Sequence, residues 1–509
     1  MKSISNSTCD ILIAGGGFAG SLTAMILHNA GFRVALAERG SHPRFAIGES
    51  STPIADMILR DLADTYNLPW LKSFSRYGSW QAFHPEVTCG LKRGFSYYKH
   101  HTGQPFTTDG LHSRELLVAA SVSDEQSDTN WLRSDFDAFL AGKVKEMGIP
   151  YMDHAEITHL RRSGSTWEME INRNGSPLVY TSAWIIDATG GGGLLANLLG
   201  IKSSPEGFKT NSFAVFSHYD EVQPWEDWLR RNGISQADYP FTPDHSALHH
   251  LLDEGWMWML RFNSGLTSSG IVFNGKKEKY AGRTAPEALW QKTLDRYPAL
   301  RELFEPARLA ETPGRLIRSR RLQRRMRQGA GDGWVALPHT IGFVDPLHST
   351  GIAHTLSGIE RIAHWFTTCR GQPEQLTSRL QKYEREVFNE LSLIDLLVSG
   401  CHDSTHHMEL FNLYSMLYFT AAITYEQARL SGRFRVGRDQ FLLASHPSIP
   451  VCIRKRYAEL QNILAEGHIS HGRISAFKAR IQQDIEPYNV AGLLRPPVPN
   501  MYYHSAAEL

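Results

Sequence analysis

The start of the chain alternates between apolar runs of strand length and one run with helical spacing. "DILIAGGG" (10–17) is apolar up to its glycines, which is typical of a parallel strand buried on both faces. "SLTAMILHNA" (21–30) has a helical pattern and ends at Gly31, and "RVALAE" (33–38) is a second apolar strand. This order predicts a β-α-β unit over residues 10–38.

Three glycines lie at the turn between the first strand and the helix. Gly15, Gly17 and Gly20 form a G-x-G-x-x-G motif. The first glycine allows a tight turn, the second lets a pyrophosphate approach the backbone, and the third lets the helix pack on the strand. Glu38 ends the second strand, where a carboxylate binds ribose hydroxyls. The unit predicts dinucleotide binding: NAD and FAD both remain open, while the 2′-phosphate of NADP would meet a like charge.

Strand patterns continue in the middle of the chain and give way to helical patterns towards its end. "GFSYY" (94–98), "SFAVFSHY" (212–219) and "SSGIVFNG" (268–275) have the composition of strands. Residues 366–490 are mostly helical in pattern, and "RPPVPNMYY" (495–503) predicts an extended tail.

A helix is also predicted to start late in the chain, directly after "GFVDPLHSTGI" (342–352). Apolar residues then recur at helical spacing, at Leu356, Ile359, Ile362 and Phe366. The segment combines a proline, two small hydroxyl residues and a glycine, which is typical of a helix N-terminus.

The composition is that of a globular protein with more than one domain. The 509 residues are 42% hydrophobic and 21% charged, and the formal net charge is +1, so neither nucleic acid nor an anionic membrane is an expected partner. The basic run "RLIRSRRLQRRMR" (315–327) is interpreted as a solvated face or the surroundings of a cofactor phosphate. The sequence has neither a signal peptide pattern nor an apolar run of membrane-spanning length, which predicts a cytoplasmic protein.

Cysteines and histidines do not form a metal-binding pattern. The five cysteines are scattered and odd in number, which argues against a disulfide framework and for a reducing compartment. The histidine-rich stretches "HSALHHLL" and "CHDSTHH" lack cysteine or carboxylate partners at a defined spacing, so we interpret them as surface or pocket histidines. No metal is expected.

Two further segments resemble the flavin monooxygenase superfamily and favour FAD. "HPRFAIGESSTP" (42–53) follows the second strand directly, and "SAWIIDATGGGG" (182–193) is similar to the second flavin-domain strand of that superfamily. Three more segments narrow the resemblance to one family within that superfamily: "CGLKRGFSY" (89–97), "LRSDFDAFL" (132–140) and "GWMWMLRF" (255–262). With "GESSTP" and "GFVDPLHSTGI", these segments make residues 10 to about 365 resemble the flavin-dependent halogenases, particularly those that act on free phenolic rings.

The resemblance implies FADH2-dependent halogenation of an electron-rich aromatic small molecule with O2 and chloride or bromide, in secondary metabolism. In this family, reduced FAD and O2 convert halide to hypohalous acid, which is passed to a lysine beside the substrate. That lysine falls on Lys92, whose amine can form a haloamine or donate a hydrogen bond to the acid, and burial would favour the neutral amine. Without the resemblance, Lys92 reads as a surface residue on a strand edge.

The resemblance also implies a set of cofactor and halide residues. The cofactor-binding residues are Gly15, Gly17, Phe18, Ala19, Gly20, Glu38, Arg39, Arg44, Gly48, Glu49, Ser50, Arg133, Ala188, Thr189, Gly190, Asp345, Gly351 and Ile352. The halide-binding residues are Ser349, Thr350 and Gly351. We expect Pro346 to stop the preceding strand, Ser349 and Thr350 to cap the helix, and its positive N-terminus to hold the halide.

The tryptophan motif has strand-like alternation, with Trp256 and Trp258 on one face and Met257 and Met259 on the other. The two indoles are expected to wall the flavin chamber from the substrate chamber. Leu260–Arg261 stands where the family has Ile-Pro. This departure leaves open a FAD-dependent aromatic hydroxylase or oxidoreductase, and less readily an inactive flavoprotein.

Two other positions depart from the family. His348 stands where tryptophan halogenases have a glutamate beside the lysine, which favours a phenolic or other electron-rich ring that needs less help from the enzyme. His348 is a candidate base, or a residue that packs under the loop. Pro338 stands where the ribityl-binding aspartate is expected, which would leave flavin loosely held.

The domain prediction follows the superfamily: an α/β fold with a Rossmann-like FAD-binding domain, a β-rich substrate domain and a helical C-terminal region. The FAD-binding domain is predicted over 1–75, 110–200 and 310–365, the substrate domain over 76–109 and 201–309, and the helical region over 366–509. A second G-x-G-x-x-G motif is absent from the sequence, so a separate NAD(P)H flavin reductase is the expected source of FADH2. The chain is expected to be a monomer or homodimer.

Overall fold

The computed structural model describes residues 5–276 and 284–506. Its strands, numbered in chain order, are β1 Ser5–Ala14, β2 Val34–Ala37, β3 Cys89–Lys92, β4 Gly94–Lys99, β5 Glu115–Ala119, β6 Asp128–Trp131, β7 Tyr151–Met152, β8 Ala155–Ser163, β9 Thr166–Arg173, β10 Ser176–Asp187, β11 Ser203–Ser204, β12 Ser212–Asp220, β13 Ala247–Leu251, β14 Gly255–Arg261, β15 Thr267–Asn274, β16 Arg308–Leu309, β17 Ile317–Arg318, β18 Arg324–Met326, β19 Ala330–Gly331, β20 Trp334–Ala336, β21 Gly342–Phe343 and β22 Met501–Tyr502.

The helices of the described residues are α1 Phe18–Asn29, α2 Pro53–Thr65, α3 Tyr77–Phe83, α4 Arg133–Glu146, α5 Leu194–Leu198, α6 Trp225–Arg231, α7 Pro286–Arg296, α8 Pro298–Phe304, α9 Pro338–Ile341, α10 Thr350–Thr368, α11 Pro373–Ser404, α12 Met408–Leu430, α13 Ile449–Leu464 and α14 His471–Ile485. Short 3-10 turns cover Pro69–Ser75, Gly190–Gly192, Phe441–Leu443 and Glu486–Tyr488. Within these described ranges, every helix is too short or too polar to cross a membrane.

The predicted β-α-β unit lies at the centre of a mostly parallel sheet. Its strand order is β19-β20-β10-β1-β2-β7, with β8 and β9 added beside β10. Strand β1 pairs in parallel with β10 and β2, and its residues from Ile11 to Ala14 are buried on both faces. This arrangement explains the uninterrupted apolar run of β1 and confirms the predicted α/β, Rossmann-like fold.

A second sheet contains the strand segments expected for the substrate domain. Its order is β16-β12-β15-β14-β13-β4-β5-β22, with β17 also paired to β12. The flavin-domain boundaries drawn from the sequence differ from this pairing. Strand β5 pairs with β4, and β17 pairs with β12, so Glu115–Ala119 and Ile317–Arg318 lie in the second sheet because main-chain pairing holds them there. The C-terminal segment is not merely an extended tail, since β22 pairs in parallel with β5.

The C-terminal helices pack on both sheets around a buried ion pair. Arg361 of α10 donates from both Nη atoms to the carboxylate of Glu390 of α11, at 2.8 and 2.9 Å. The same carboxylate contacts His354 Nε2 at 2.9 Å and accepts from the Phe441 backbone N–H at 2.9 Å. Both charged side chains are buried, so this cluster joins three separate segments of the chain.

We expect Arg361→Met to lower the free energy of unfolding by about 3–5 kcal/mol, because it leaves the Glu390 charge buried without its bidentate partner. Chemical denaturation followed by circular dichroism measures the change. Arg161→Met, which breaks a largely exposed pair with Glu168, is the control and should alter the free energy little. Equal effects of the two substitutions would contradict this role of the buried pair.

Candidate active site

The glycine motif has the geometry that a bound dinucleotide requires. Gly15 has φ +102°, in the region that favours glycine, and a Cβ on Gly20 would lie 1.8 Å from the Gly15 carbonyl oxygen. A Cβ on Gly17 would face the Asp137 carboxylate at 3.3 Å and the guanidinium groups of Arg133 and Arg44 at 3.6 and 3.8 Å. Two arginines, together with this carboxylate, therefore stand over the N-terminus of α1, where the pyrophosphate of a dinucleotide is bound.

Glu38 lies at the end of β2, beside the glycine turn. Its carboxylate accepts hydrogen bonds from the backbone N–H groups of Gly16 and Gly40, at 2.7 and 2.8 Å, and lies 3.4 Å from Arg44 Nη2. Burial acts to raise the pKa of Glu38, but these two hydrogen bonds and the Arg44 charge hold it below its ordinary value. Glu38 is thus an anionic acceptor at the expected ribose position. Arg39, by contrast, is exposed.

Arg133 fixes the segment that carries the Gly-Glu-Ser element. Its guanidinium makes a bidentate pair with Asp137, both bonds at 2.8 Å, and donates to the carbonyls of Ile47 and Gly48. The guanidinium also lies 4.7 Å from the centre of the Phe18 ring. The Arg-x-x-Phe-Asp motif therefore places one cation between the phosphate turn and the 42–53 segment. Ala19 is buried in the core below it.

The Gly-Glu-Ser element joins three parts of the structure. Glu49 is buried and pairs with His218 Nε2 of β12 at 2.7 Å. Ser50 forms an isolated β-bridge with Asn130 of β6, and its hydroxyl accepts from Ser349 Oγ at 3.0 Å. The glutamate faces the second sheet, while the serine faces the late helix-start loop.

The Asp-Ala-Thr-Gly turn uses its side chains internally. Thr189 donates from its N–H and its hydroxyl to Asp187, at 2.9 and 2.7 Å, and the Gly190 N–H donates to Thr340 Oγ1 at 3.0 Å. The Ala188 carbonyl lies 3.3 Å from His339 Nε2. Because the Thr189 hydroxyl is already hydrogen-bonded to Asp187, the turn can offer a cofactor its backbone groups but not this side chain.

Pro338, which stands where a ribityl-binding aspartate is expected, packs against α10, since a Cβ on Gly358 would lie 2.2 Å from Pro338 Cγ. The neighbouring His339 lies near the glycine motif: its ring stacks 6.4 Å from Phe18, and burial lowers the pKa of His339 to about 3. A neutral imidazole therefore occupies the position next to Ala188.

The loop before α10 departs from the predicted capping. Ser349 is the N-cap residue but has φ +52°, and its side chain makes no capping hydrogen bond. Its hydroxyl reaches Ser50 instead. The prediction that this side chain caps the helix is therefore wrong, because the left-handed backbone turns it away. Gly351 is exposed, with nothing within 4 Å of the position of a Cβ, which leaves the positive end of α10 open to an anion. Thr350 and Ile352, on either side, are buried.

Asp345 and His348 anchor the same loop from below. Asp345 accepts from Ser212 Oγ at 2.6 Å and lies 3.2 Å from His402 Nε2. The His348 ring stacks on Tyr418 at 4.3 Å and lies 3.6 Å from Cys401 Sγ, and burial lowers the pKa of His348 to about 3. These contacts favour the packing role of His348 over the role of a base.

Lys92 is not a surface residue, since its side chain has no exposed area. Its Nζ lies 4.2 Å from the centre of the Phe95 ring and 3.5 Å from Asp128 Oδ2. Burial lowers the pKa of Lys92, while the charges of Asp128 and Asp56 act to raise it. Burial in turn raises the pKa of both carboxyl groups. A buried amine with a lowered pKa is a reactive group by its chemistry.

The tryptophan strand separates two hydrophobic clusters. Trp256 and Trp258 pack in the cluster that includes the first sheet, while Met257 and Met259 face the other cluster. Gly270 of β15 pairs with Trp258, and a Cβ there would lie 2.2 Å from its indole. Leu260 is buried on the indole face.

Arg261 has a local structural partner. Its Nε donates to Asp244 Oδ1 at 2.6 Å, and its Nη2 donates to the Val222 carbonyl at 2.9 Å. The guanidinium thus ties the end of β14 to the loops on either side of α6. This anchor explains why Leu260–Arg261 stands in place of Ile-Pro. The contacts of the Arg261 side chain described above do not involve Lys92.

Comparison with known proteins agrees with this geometry. The model of the tryptophan halogenase family matches residues 214–410. The chain is 26% identical over 442 residues to monodechloroaminopyrrolnitrin halogenase PrnC of Pseudomonas fluorescens, which covers 85% of this chain and 74% of PrnC. It is 23% identical over 420 residues to tetracycline 7-halogenase of Kitasatospora aureofaciens, covering 81% of this chain and 73% of that enzyme.

A solved structure matches nearly the whole chain. The crystal structure of halogenase PltM in complex with phloroglucinol and FAD superposes with a TM-score of 0.83 at 26% identity, over 95% of this chain and 98% of PltM. The chain is therefore similar to flavin-dependent halogenases over most of its length. The dinucleotide in the PltM structure is FAD, which favours FAD over NAD as the interpretation of the glycine motif.

Features of the structure itself fit a bound FAD. The glycine turn leaves room for a pyrophosphate, Arg44 and Arg133 face it, and Glu38 offers an acceptor for the ribose. A cavity of about 250 Å³ opens beside Phe45 and His218, next to the Gly-Glu-Ser element. The side chains needed to hold the group are therefore present.

A second, small cavity has a volume of about 20 Å³, and Lys92 is not one of its lining residues. It is lined mainly by apolar and aromatic side chains together with Thr52, Tyr418, Glu426 and Ser505. One wall is Phe95, the ring over which Lys92 Nζ lies. The C-terminal segment closes another side, where Ser505 donates to the Ala119 carbonyl from its N–H and its hydroxyl, at 2.9 and 2.7 Å.

Sequence reasoning missed several residues of the candidate site. Asp56, Asp128 and Glu426 surround Lys92 electrostatically, while His218 contacts Glu49 and His339 contacts the Ala188 carbonyl. They come from α2, β6, α12, β12 and α9, so no local spacing joins them. The single signal was the alternation of β6, which places Asp128 and Asn130 on one face. The basic run 315–327 was also misjudged in part: Arg318, Arg321 and Arg324 donate to backbone carbonyls.

The histidine-rich stretches, predicted to be surface or pocket histidines, are divided: His406 and His407 are exposed, and others are buried. His249 and His250 are buried in β13, and His402 is buried in α11. Groups of three or more metal-ligating side chains are absent from residues 5–276 and 284–506.

We expect Gly20→Ala to weaken FAD binding at least about 10-fold, because the new methyl group would overlap the Gly15 carbonyl and displace the phosphate turn. Quenching of flavin fluorescence measures the dissociation constant. Gly142→Ala is the matched control, since it also lies in a helix and has nothing within 4 Å of a Cβ. Unchanged FAD affinity in Gly20→Ala would show that the turn is not the phosphate site.

Proposed function

We propose that this protein is a flavin-dependent halogenase that transfers chlorine or bromine to a free, electron-rich aromatic ring, with a phenol as the first substrate class. The observation that carries the proposal is Lys92, a fully buried amine that lies over the Phe95 ring, which itself lines a small, mainly apolar cavity. PltM, whose structure contains phloroglucinol, a phenolic ring, supports this class. A phenol oxygen stabilises the cation formed during ring substitution, so the cavity needs little further assistance.

Reduced FAD, when bound, supplies with O2 the oxidising equivalents that convert halide to hypohalous acid. The open N-terminus of α10 at Gly351 holds the halide, since its N–H groups and dipole favour an anion. Trp256 and Trp258 separate this end from the substrate cavity. We propose that FADH2 is delivered by a separate NAD(P)H flavin reductase.

Lys92 receives the hypohalous acid in one of two ways. As a neutral amine it exchanges N–H for N–X and releases water. As an ammonium group it donates a hydrogen bond to the oxygen of the acid and polarises the O–X bond. In the first route the ring carbon takes the halogen as the N–X bond breaks, and the ring proton returns to the amine nitrogen. In the second route the O–X bond breaks, the oxygen leaves as water with a proton from the ammonium group, and the ring proton restores that group. Burial favours the amine, and the charges of Asp128, Asp56 and Glu426 favour the ammonium form.

The test combines the enzyme with a flavin reductase, NADH, FAD, O2, chloride or bromide, and a panel of phenols, pyrroles and indoles. We expect halogenated products that depend on halide, with phenols converted fastest. Lys92→Met should reduce product formation at least about 100-fold, the scale of losing a catalytic group. A β-diketone trap should still detect hypohalous acid.

Lys99→Met is the control for that substitution, because Lys99 is also buried and ion-paired but lies on β4 with Asp253. It should retain halogenation per folded enzyme. Hydroxylated products without halide dependence would contradict halogenation, and full activity of Lys92→Met would contradict the role of Lys92.

Asp128→Asn should move the pH dependence of halogenation to lower pH. Asp128 is the largest charge that opposes burial in setting the pKa of Lys92, so its removal lowers that pKa further and Lys92 loses its proton at a lower pH. The measurement is product formed per FADH2 consumed across a pH series. Asp124→Asn, which removes a half-exposed partner of Arg93, is the control. An unshifted profile in Asp128→Asn would contradict this assignment.

A further inference from the structure

A polar face runs from the late helix-start loop to Lys92. Strands β3 and β6 pair so that Lys92 lies opposite Asp128, and Gly90 opposite Asn130. Ser50 bridges to Asn130 from the other side of β6. Because directly opposed residues of antiparallel strands point to the same side, the side chains of Ser50, Asn130, Asp128 and Lys92 share one face. We call these four residues the polar face.

Asn130 occupies the middle of the polar face and has unmet hydrogen-bonding capacity. Its side chain has no exposed area, and neither its Nδ2 nor its Oδ1 has a hydrogen-bond partner among the described residues. An amide carries two donor hydrogens and an acceptor oxygen, and buried groups of this kind are nearly always paired. A small molecule that both donates and accepts would satisfy it.

The two ends of the polar face are the two ends of the proposed reaction path. Ser50 accepts from Ser349, one residue before α10. Asn130 is one strand from Ser50, about 5 Å between side chains, and Lys92 is its diagonal neighbour at about 7–8 Å. Asn130 thus lies between the two ends of the polar face, as a neighbour of Ser50 at one end and of Lys92 at the other.

The surroundings of Asn130 are suited to a small oxidising molecule. Gly90 lies opposite Asn130, and a Cβ there would lie 1.8 Å from the Arg261 carbonyl, so the end of β14 covers this face. Cys89 alternates to the opposite face of β3, where Gln81 contacts its sulfur. The thiol, the most readily oxidised side chain nearby, is therefore directed away from the polar face.

We propose that Asn130 hydrogen-bonds hypohalous acid on its way from the α10 loop to Lys92. The acid has one O–H donor and acceptor lone pairs, which match the amide carbonyl and N–H groups. The amide stays neutral at every working pH, so it holds a neutral guest without competing with Lys92 for a proton. This inference rests on the proposed function, since it needs the hypohalous acid that the reaction generates.

The experiment measures how much of the oxidised halide reaches the substrate. Asn130→Leu keeps the side-chain volume and removes all hydrogen bonding. We expect product per FADH2 consumed to fall at least 10-fold, while hypohalous acid caught by the β-diketone trap rises. FAD affinity, from flavin fluorescence, should stay within 2-fold of the parent enzyme.

A second pair of variants covers the case in which the leucine disturbs folding. Asn130→Ala and Asn130→Ser differ by one hydroxyl, which can donate and accept, so the serine variant should deliver several-fold more product per FADH2 than the alanine variant. Asn412→Leu is the control, because Asn412 is also buried with an unpaired carbonyl oxygen but lies on α12. It should keep the parent ratio of product to trapped acid.

The outcomes separate the two proposals. An unchanged amount of product per FADH2 in Asn130→Leu would overturn the role of Asn130, and so would equal amounts in the alanine and serine variants. The partner of Asn130 would then be a fixed structural water. Loss of FAD affinity in parallel with delivery would place Asn130 in the cofactor site instead and would also overturn it. Absence of trapped hypohalous acid and of halogenated product in the parent enzyme would refute the proposed function itself.

Discussion

Burial of the Lys92 amine beside Asp128 is the constraint around which the site is arranged. An ammonium group taken out of water is strongly disfavoured unless a carboxylate lies close, and the carboxylate needs its own compensation. The β3–β6 ribbon provides this by pairing Lys92 with Asp128 across the strands, and α2 adds Asp56. The same ribbon is bridged to Ser50, whose hydroxyl contacts Ser349 at the start of α10. One small element therefore connects Lys92 with the loop before that helix.

Strand β14 divides two hydrophobic clusters by ordinary strand alternation. It turns its tryptophans to the core of the first sheet and its methionines to a different cluster. Gly270 makes room for the Trp258 indole, and Arg261 holds the strand end through Asp244. The strand is paired on both sides, so main-chain pairing fixes the positions of both indoles.

Two histidines near the start of α10, His348 and His339, are packed in the interior as neutral groups. His348 is held between Tyr418 and Cys401, and His339 lies against Ala188 and Phe18. Both imidazoles are neutral near pH 7, since burial holds their pKa values at about 3. The loop that they support leaves the positive end of α10 exposed at Gly351.

Local sequence was sufficient for the parts of the protein whose physics is local. The β-α-β unit, the glycine turn and the acid at Glu38 follow from apolar run length and from the backbone freedom of glycine, and the start of α10 follows from its helical apolar spacing. Tertiary structure alone decided the charges around Lys92, the contact of Ser349 with Ser50, the packing of Pro338 on α10 and of His339 beside Ala188, and the place of β5, β17 and β22 in the second sheet. These depend on pairing between segments far apart in the chain, and neither spacing nor periodicity encodes which distant strands meet.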